Sequence, residues 1–157
     1  MIGIIGNGSD KFTWLGQFRA RKIIWDILNP PDLLVSGHSI MIGIDIWSEQ
    51  IAIKKGCYSK DSIFKPIFES KDYYRIRNDK IARFSDELHI IVADRYPDEY
   101  KGQRFDVCYH HHDFNSYYLE STINAYNHVK SGACWTGIMF RDHHPDKIPT
   151  YHIVNNY

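Results

Sequence analysis

The sequence has few cysteines and no surplus of either charge. Its three cysteines are an odd number without the spacing of a disulfide framework, which favours a reducing, cytoplasmic setting. Its 19 basic and 19 acidic residues give a net charge of zero. Bulk electrostatics therefore gives no support for nucleic-acid binding, although a local basic strip would be compatible with it. Nucleic acid is left open as a partner.

Long apolar runs are also missing. No run approaches the roughly 20 residues that a membrane-spanning helix needs, and the first residues have neither the basic region nor the cleavage site of a signal peptide. We therefore expect no membrane partner. Since repeats, low-complexity tracts and linkers are absent too, the 157 residues predict a single domain, residues 1–157, with an irregular insertion at about residues 94–115.

Apolar segments alternate with helical patterns along the chain. Strands are predicted at residues 1–5, 33–35, 62–68, 87–93 and 150–154, with 87–93 central. Helices are predicted at residues 13–28, 42–56, 116–129 and 135–141, with a short one around 81–84 after a polar loop. This alternation predicts an α/β fold, a single three-layer Rossmann-like domain with a mainly parallel sheet. The first helix is marked by apolar Trp14, Phe18, Ile24, Trp25 and Leu28.

The segment from residue 33 to residue 49 carries the main functional signal. A strand ends in Ser36-Gly37, and the chain passes through Gly43 into a helix whose apolar face is formed by Ile44, Trp47, Ile51 and Ala52. The N–H groups at a helix start favour an anion, and glycine lets a ligand approach the backbone. Asp45 could accept a hydrogen bond from a ribose hydroxyl. The alternative is that the glycines serve turn geometry and Asp45 only stabilises the helix start.

Ligands of parallel sheets bind at the carboxyl ends of the strands. Arg77 could clamp a phosphate with its planar guanidinium, or it could be a solvated charge. Asn78 could contact a base or ribose, or it could cap a helix. The predicted ligand-binding residues, which would converge at this edge, are Gly6, Asn7, Gly8, Ser9, Ser36, Gly37, His38, Gly43, Asp45, Arg77, Asn78, Ser131, Gly132 and Thr136.

Candidate catalytic groups are few. Asp45 and Glu49 lie one helical turn apart, and paired carboxylates can divide acid and base roles, although such pairs are more often a solvated helix face. Ser36 with His38 and Asp45 could form a nucleophilic set, but residues two apart in a turn rarely align.

A second set of side chains has the chemistry of a zinc site. Cys108 and His111 have C-x-x-H spacing, and His128 and Cys134 follow; zinc prefers four such ligands in a tetrahedron. The alternative is a surface loop with a buried cysteine at a helix start. A histidine-rich insertion could also serve as an interaction surface.

Three short motifs resemble the SLOG superfamily of Rossmann-like proteins. The run Val-Ser-Gly-His-Ser-Ile-Met-Ile-Gly-Ile-Asp ends at Asp45 and is similar to the Ser-Gly-Gly…Gly-Ile-Asp turn of that group. Arg77-Asn78 with Ile81 and Ser85 is similar to its Arg-Asn…Ile…Ser element, and Lys-Ser-Gly-Ala-Cys-Trp-Thr, ending at Thr136, to its Lys-Ser-Gly…Thr loop. The motifs occur in family order. The resemblance implies a bound nucleotide or nucleotide-derived ligand, with its phosphate on the glycine-rich turns.

The chain departs from the LOG phosphoribohydrolases of this superfamily. Those enzymes carry a glutamate after the last loop, whereas Thr136 is followed by Gly-Ile-Met-Phe-Arg. We therefore expect a binder of a nucleotide-like small molecule without that activity. The alternative is an enzyme that cleaves an N-glycosidic or phosphoester bond of such a ligand, with Asp45 or Glu49 supplying the acid. The base, the number of phosphates and the formation of a homo-oligomer are left open.

Overall fold

Four parallel β-strands form a sheet in the part of the chain that the structure describes. The computed structural model describes residues 1–102 and 132–157. The strands are β1 (Ile2–Gly6), β2 (Leu34–Val35), β3 (Glu87–Ala93) and β4 (Thr150–Val154), and their order across the sheet is β2-β1-β3-β4. Every pairing between them is parallel, which confirms the predicted fold class.

Helices cover both faces of this sheet. Two of them, α1 (Trp14–Ile27) and α2 (Ile44–Lys55), lie on one face, and α3 (Lys71–Phe84) and α4 (Gly132–His143) lie on the other. Successive side chains of a strand point to opposite faces. Ile4 and Ile91 therefore pack against α1 and α2, whereas Ile5 and Ile90 pack against α3 and α4. The result is the three-layer Rossmann-like arrangement that the sequence predicts.

The order of the strands defines a crevice at one edge of the sheet. From β1 the chain passes through α1 to β2 on one side, and it later returns to β3 on the other side of β1. In open parallel sheets the loops after two such neighbouring strands diverge and leave space for a ligand. In this fold the space lies between the loops after β1 and β3.

Local sequence signals set the ends of α1 and α2. The Thr13 hydroxyl caps α1 by accepting a hydrogen bond from Gly16 N–H at 3.0 Å, as an N-cap threonine does. Gly56 ends α2 with a left-handed φ of 75°, which glycine adopts at little cost. Both helices agree with their predicted ranges to within two residues, and α2 buries the four apolar side chains that predicted it: Ile44, Trp47, Ile51 and Ala52.

Two predicted elements are wrong. Residues 62–68 form no strand, because only one bridge, between Ser36 and Ile63, extends the sheet there and Pro66 has no N–H to donate to a ladder. The predicted polar loop before Arg77 is instead helical, since α3 begins at Lys71.

The remaining elements divide into confirmed and undescribed ones. β3 and β4 have their predicted bounds, and α4 extends beyond the predicted residues 135–141 at both ends. Residues 94–102 form neither helix nor strand, as predicted. The rest of the insertion and the predicted helix at 116–129 lie outside the described residues. No helix within the described ranges is long and apolar enough to cross a membrane.

Candidate functional site

The loop after β1 is tied to three neighbours through Asn7. Its N–H donates to Ile91 O (3.2 Å), its Oδ1 accepts from Ala93 N–H (2.9 Å), and its carbonyl accepts from Ile44 N–H (3.1 Å). Asn7 therefore joins the ends of β1 and β3 to the start of α2. A Cβ on Gly6, at the end of β1, would overlap Ile91 O. The first N–H of α2, on Ile44, was predicted as part of an anion site, but it donates its hydrogen bond to Asn7 O.

Gly43, Gly8 and Ser9 bring this loop into contact with the loop before α2. Gly43 has φ 74° and ψ −142°, and a Cβ there would lie 2.6 Å from Gly8 C and from Ser9 N. Ser9 donates from its N–H and its Oγ to Met41 O, at 3.1 and 3.2 Å. The glycines thus allow two loops of the protein to pack closely, and a phosphate held there would have to replace these contacts.

Ser36 has a structural partner. Its Oγ donates to Ile4 O at 2.9 Å, and the residue is fully buried. This bond fixes the end of β2 to β1. It also occupies the hydroxyl that a nucleophilic set with His38 and Asp45 would need.

Arg77 reaches the end of β2 from the opposite face of the sheet. Its Nη1 donates to Gly37 O at 2.8 Å, and its Nε donates to the buried Asn78 Oδ1 at 2.7 Å. Its guanidinium also lies 5.4 Å from the ring centroid of Tyr74. These contacts hold a positive charge over the carboxyl edge, between α2 and α3.

Two carboxylates of α2 lie at the same place. Asp45 and Glu49 are only 7% and 9% exposed, so the alternative of a solvated helix face is wrong for both. His38 Nδ1 donates to Glu49 Oε1 at 2.7 Å, and the backbone N–H of Ser39 donates to Asp45. We call His38, Asp45, Glu49 and Arg77 the polar cluster.

Burial sets the protonation of Asp45. The loss of water around its charge raises the pKa of the Asp45 carboxyl to about 6; the positive charge of Arg77 opposes this rise, and the negative charge of Glu49 reinforces it. A carboxyl group with a pKa near neutrality can hold a proton and release it again under physiological conditions. The polar cluster can therefore both donate and accept hydrogen bonds.

The loop that covers the cluster has an unusual backbone. His38 and Ile42 adopt positive φ values of 50° and 57°, a conformation uncommon for residues other than glycine. Between them, Ile40 and Met41 expose half or more of their surface. Strained residues are held only where their surroundings demand it, and they collect at functional sites. The hydrogen bonds from His38 to Glu49 and from Ser39 to Asp45 help to hold the loop in this conformation.

An open cavity of about 580 Å³ lies on the other side of the loop after β1. It occupies the crevice between the loops after β1 and β3 that the strand order defines. Its walls include three aromatic and three charged side chains: Phe12, Trp14, Tyr100, Asp10, Glu99 and Lys101. None of the residues that the sequence predicts to bind a ligand lines this cavity. The available signal was a pair of aromatic residues, Trp14 and Tyr100, which follow the ends of two predicted strands by nine and seven residues.

The last predicted motif is only partly described. Gly132 begins α4, and Thr136, which falls within the predicted helix at 135–141, is buried in the second turn of α4. Ser131 lies outside the described residues.

The predicted zinc ligands are also only partly described. Cys108, His111 and His128 lie outside the described residues, and of Cys134 only its backbone position in α4 is described. Within residues 1–102 and 132–157, no group of three or more His, Cys, Asp or Glu side chains could hold a metal ion. Zinc binding by the predicted set stays a prediction.

The chain matches no protein-family model, no curated protein and no solved structure. The resemblance to the SLOG superfamily therefore rests on the three sequence motifs and stays a prediction. Any function has to be argued from the site itself.

Proposed function

We propose that this protein binds a nucleotide or a nucleotide-derived molecule at the carboxyl edge of its sheet, in a reducing cytoplasm. The polar cluster is the observation that carries the proposal. Burying two neighbouring carboxylates costs stability, and neither Asp45 nor Glu49 is needed to fill the core. Ionisable groups in such an arrangement collect at functional sites.

The chemistry of the cluster suits the sugar of a nucleotide. Asp45 can donate a hydrogen bond when protonated, and Glu49 can accept one, so together they fit vicinal hydroxyl groups. A phosphate beside two carboxylates would be repelled, and Arg77 is the group of the cluster that could attract it. The aromatic side chains of the cavity on the other side of the loop after β1 suit a base, and its volume of about 580 Å³ is in the usual range of ligand pockets, but none of the residues in its walls belongs to the polar cluster.

We expect Arg77→Ala to weaken nucleotide binding by about one to two orders of magnitude. A hydrogen bond to a charged group contributes about 1.5–3 kcal/mol, and about 1.4 kcal/mol corresponds to a factor of ten in affinity. Calorimetric titration with nucleoside mono-, di- and triphosphates measures the change. Arg77→Lys should restore only part of the affinity, because a point charge cannot reproduce a planar guanidinium.

Arg83→Ala is the matched control for this experiment. Arg83 lies on the same helix, is 59% exposed and pairs with Asp79 on the surface, so the same substitution there should leave affinity unchanged. Equal affinities in Arg77→Ala and Arg83→Ala would show that Arg77 is not a ligand contact.

Gly37→Ala should move Arg77 without removing its charge. A Cβ at Gly37 would lie 2.7 Å from Arg77 Nη1, and this flexible end can shift. We expect a roughly tenfold loss of nucleotide affinity, since a displaced guanidinium forfeits about one hydrogen bond's contribution. Urea denaturation, run in parallel, should show little loss of stability. If Gly37→Ala binds nucleotide as tightly as the parent protein does, the Arg77 guanidinium does not contact the ligand.

A second candidate function is hydrolysis of the N-glycosidic bond of the same ligand. The observation that favours it is Asp45, whose pKa is raised to about 6, one helical turn from Glu49. Two carboxyl groups in different environments can serve as acid and base. This would supply the group that the segment after Thr136 lacks.

Release of free base decides between the two functions. Incubation with nucleoside monophosphates, followed by chromatography, should show base release that is lost in Asp45→Asn and in Glu49→Gln if the protein is an enzyme. Binding without base release identifies a binding protein. Native mass spectrometry of gently purified protein complements both assays, because it weighs a retained nucleotide and a retained metal.

A further inference from the structure

The outer face of α1 carries three aromatic side chains in a line. Trp14, Phe18 and Trp25 are 83%, 62% and 48% exposed, although they helped to predict this helix as apolar residues. At 100° per residue they fall within a strip about 40° wide that runs about 16 Å along the helix axis. Contiguous exposed apolar surface of this kind marks an interaction site. We call these three residues the aromatic strip.

Positive charges border the aromatic strip. Lys55 Nζ lies 4.7 Å from the ring centroid of Trp25, and Arg21 and Lys22 neighbour the strip on either side. The charged residues of α1 and of the last turn of α2 are one acid, Asp26, and five bases: Arg19, Arg21, Lys22, Lys54 and Lys55. This local excess occurs in a chain with a net charge of zero. Within it, Lys22 pairs with Asp26 at 2.8 Å, and Arg19 donates to the carbonyls of Asn155 and Tyr157.

We infer that the aromatic strip and its flanking cations bind single-stranded nucleic acid. Lys55 lies beside the Trp25 ring, and Arg21 and Lys22 belong to the same helix as all three rings, so cations lie near the strip for the phosphates that accompany stacked bases. Unpaired bases stack on aromatic side chains regardless of sequence, while Lys and Arg hold the backbone. The surface is independent of the polar cluster, although Trp14 also borders the cavity.

Two other occupants fit this surface less well. A second copy of the chain would place the three cations and one anion of α1 against the same charges. A helix that lies in a membrane interface has a broad apolar face with its cations on the opposite side. Here the strip is narrow, and Lys22 and Arg21 lie directly at its borders.

The test uses a fluorescein-labelled oligothymidylate of about 15 nucleotides, within the site sizes of single-strand binders. The anisotropy of the fluorescein label should rise when the oligonucleotide binds the full chain. In a separate measurement, binding should quench the tryptophan emission of the protein. Phe18→Ala and Trp25→Ala, which do not border the cavity, should each weaken binding by about 5- to 150-fold, the loss expected for one stacked base. Phe68→Ala is the matched control, because Phe68 is also 62% exposed but lies outside α1, and it should leave binding unchanged.

The salt dependence tests the cations. Lys22→Gln and Lys54→Gln should each reduce the slope of log affinity against log salt by about 0.7, the value for one phosphate contact of a single strand. Lys60→Gln, on an exposed residue away from α1, should not. Arg77→Ala should leave oligonucleotide binding intact, which separates this inference from the proposed nucleotide site.

Three results would overturn the inference. One is an unchanged anisotropy up to about 100 μM protein, the weak limit of non-specific binding. Another is an equal loss of affinity in Phe68→Ala. The third is binding to vesicles of phosphatidylcholine and phosphatidylserine with a blue shift of tryptophan emission but no binding of the oligonucleotide, which would assign the strip to an anionic lipid surface.

Discussion

Gly43→Ala should lower the free energy of unfolding by about 2–6 kcal/mol. The φ of 74° and ψ of −142° at this position belong to a region that is open almost only to glycine, and a residue forced into such a region costs about 1–3 kcal/mol. The added Cβ would also collide with the backbone of Gly8 and Ser9, and overpacking adds about 1–3 kcal/mol. Since small domains are stable by about 5–15 kcal/mol, the loss should be plain in urea denaturation followed by circular dichroism.

Gly56→Ala is the matched control for Gly43. Its φ of 75° is almost the same, but its ψ of 24° lies in the left-handed helical region and an added Cβ would meet nothing within 4 Å. The expected loss is only the left-handed penalty of about 1–2 kcal/mol. Similar losses at the two positions would mean that the loops after β1 and before α2 do not pack as closely as the structure shows. A much larger loss at Gly43 would identify it as a packing residue of the fold.

The parts of the fold that could be predicted are those with an uninterrupted pattern. Apart from Glu87 and His89, residues 87–93 are apolar, as expected for a strand with both faces covered, so β3 could be delimited to the residue. The first half of α3 could not, because its buried side chains Ile81 and Ala82 lie in the second half. The apolar pattern of residues 62–68 predicts a strand, but it has another cause. Ile63 and Phe64 pack against the cores on the two faces of the sheet, and they form no ladder beyond the one bridge of Ile63.

The candidate site was predictable in its residues but not in its contacts. Asp45 and Glu49 could be identified from residue type and helical spacing, and Arg77 from residue type and its motif with Asn78. The bonds from His38 to Glu49 and from Arg77 to Gly37 depend on how α2 and α3 approach the end of β2 from opposite faces. The cavity is formed by two segments, residues 10–14 and 97–102, that are distant in the sequence, so no pattern within either segment could show that the two meet.

Asp45→Asn should stabilise the protein at neutral pH and leave its stability unchanged in acid. Burial raises the pKa of Asp45 from 3.8 to about 6. Below pH 3.8 both the folded and the unfolded chain hold the proton. Between these two values the unfolded chain releases it first, so the stability of the parent falls as the pH rises, and above about pH 6 the penalty is constant. Each pH unit in this window corresponds to about 1.4 kcal/mol, which gives a total of about 3 kcal/mol.

The variant removes this penalty because an amide carries no charge at any pH and its oxygen can still accept the Ser39 N–H. Urea denaturation at a series of pH values should therefore give two curves that coincide near pH 4 and separate by about 2–3 kcal/mol at pH 7.5. Asp61→Asn, at an exposed position, is the control and should show no such divergence.

Arg77 gives an independent check on the same electrostatics. Because its positive charge lowers the pKa of Asp45, Arg77→Ala should raise that pKa further, which titration of the Asp45 carboxyl carbon by NMR can follow. If the stability curves of Asp45→Asn and the parent are parallel over the whole pH range, Asp45 does not carry a buried charge. The proposal that the polar cluster is a binding site then loses its main support. If they diverge, the protein retains at neutral pH a carboxylate that costs it stability, as expected for a group whose role lies in binding or catalysis.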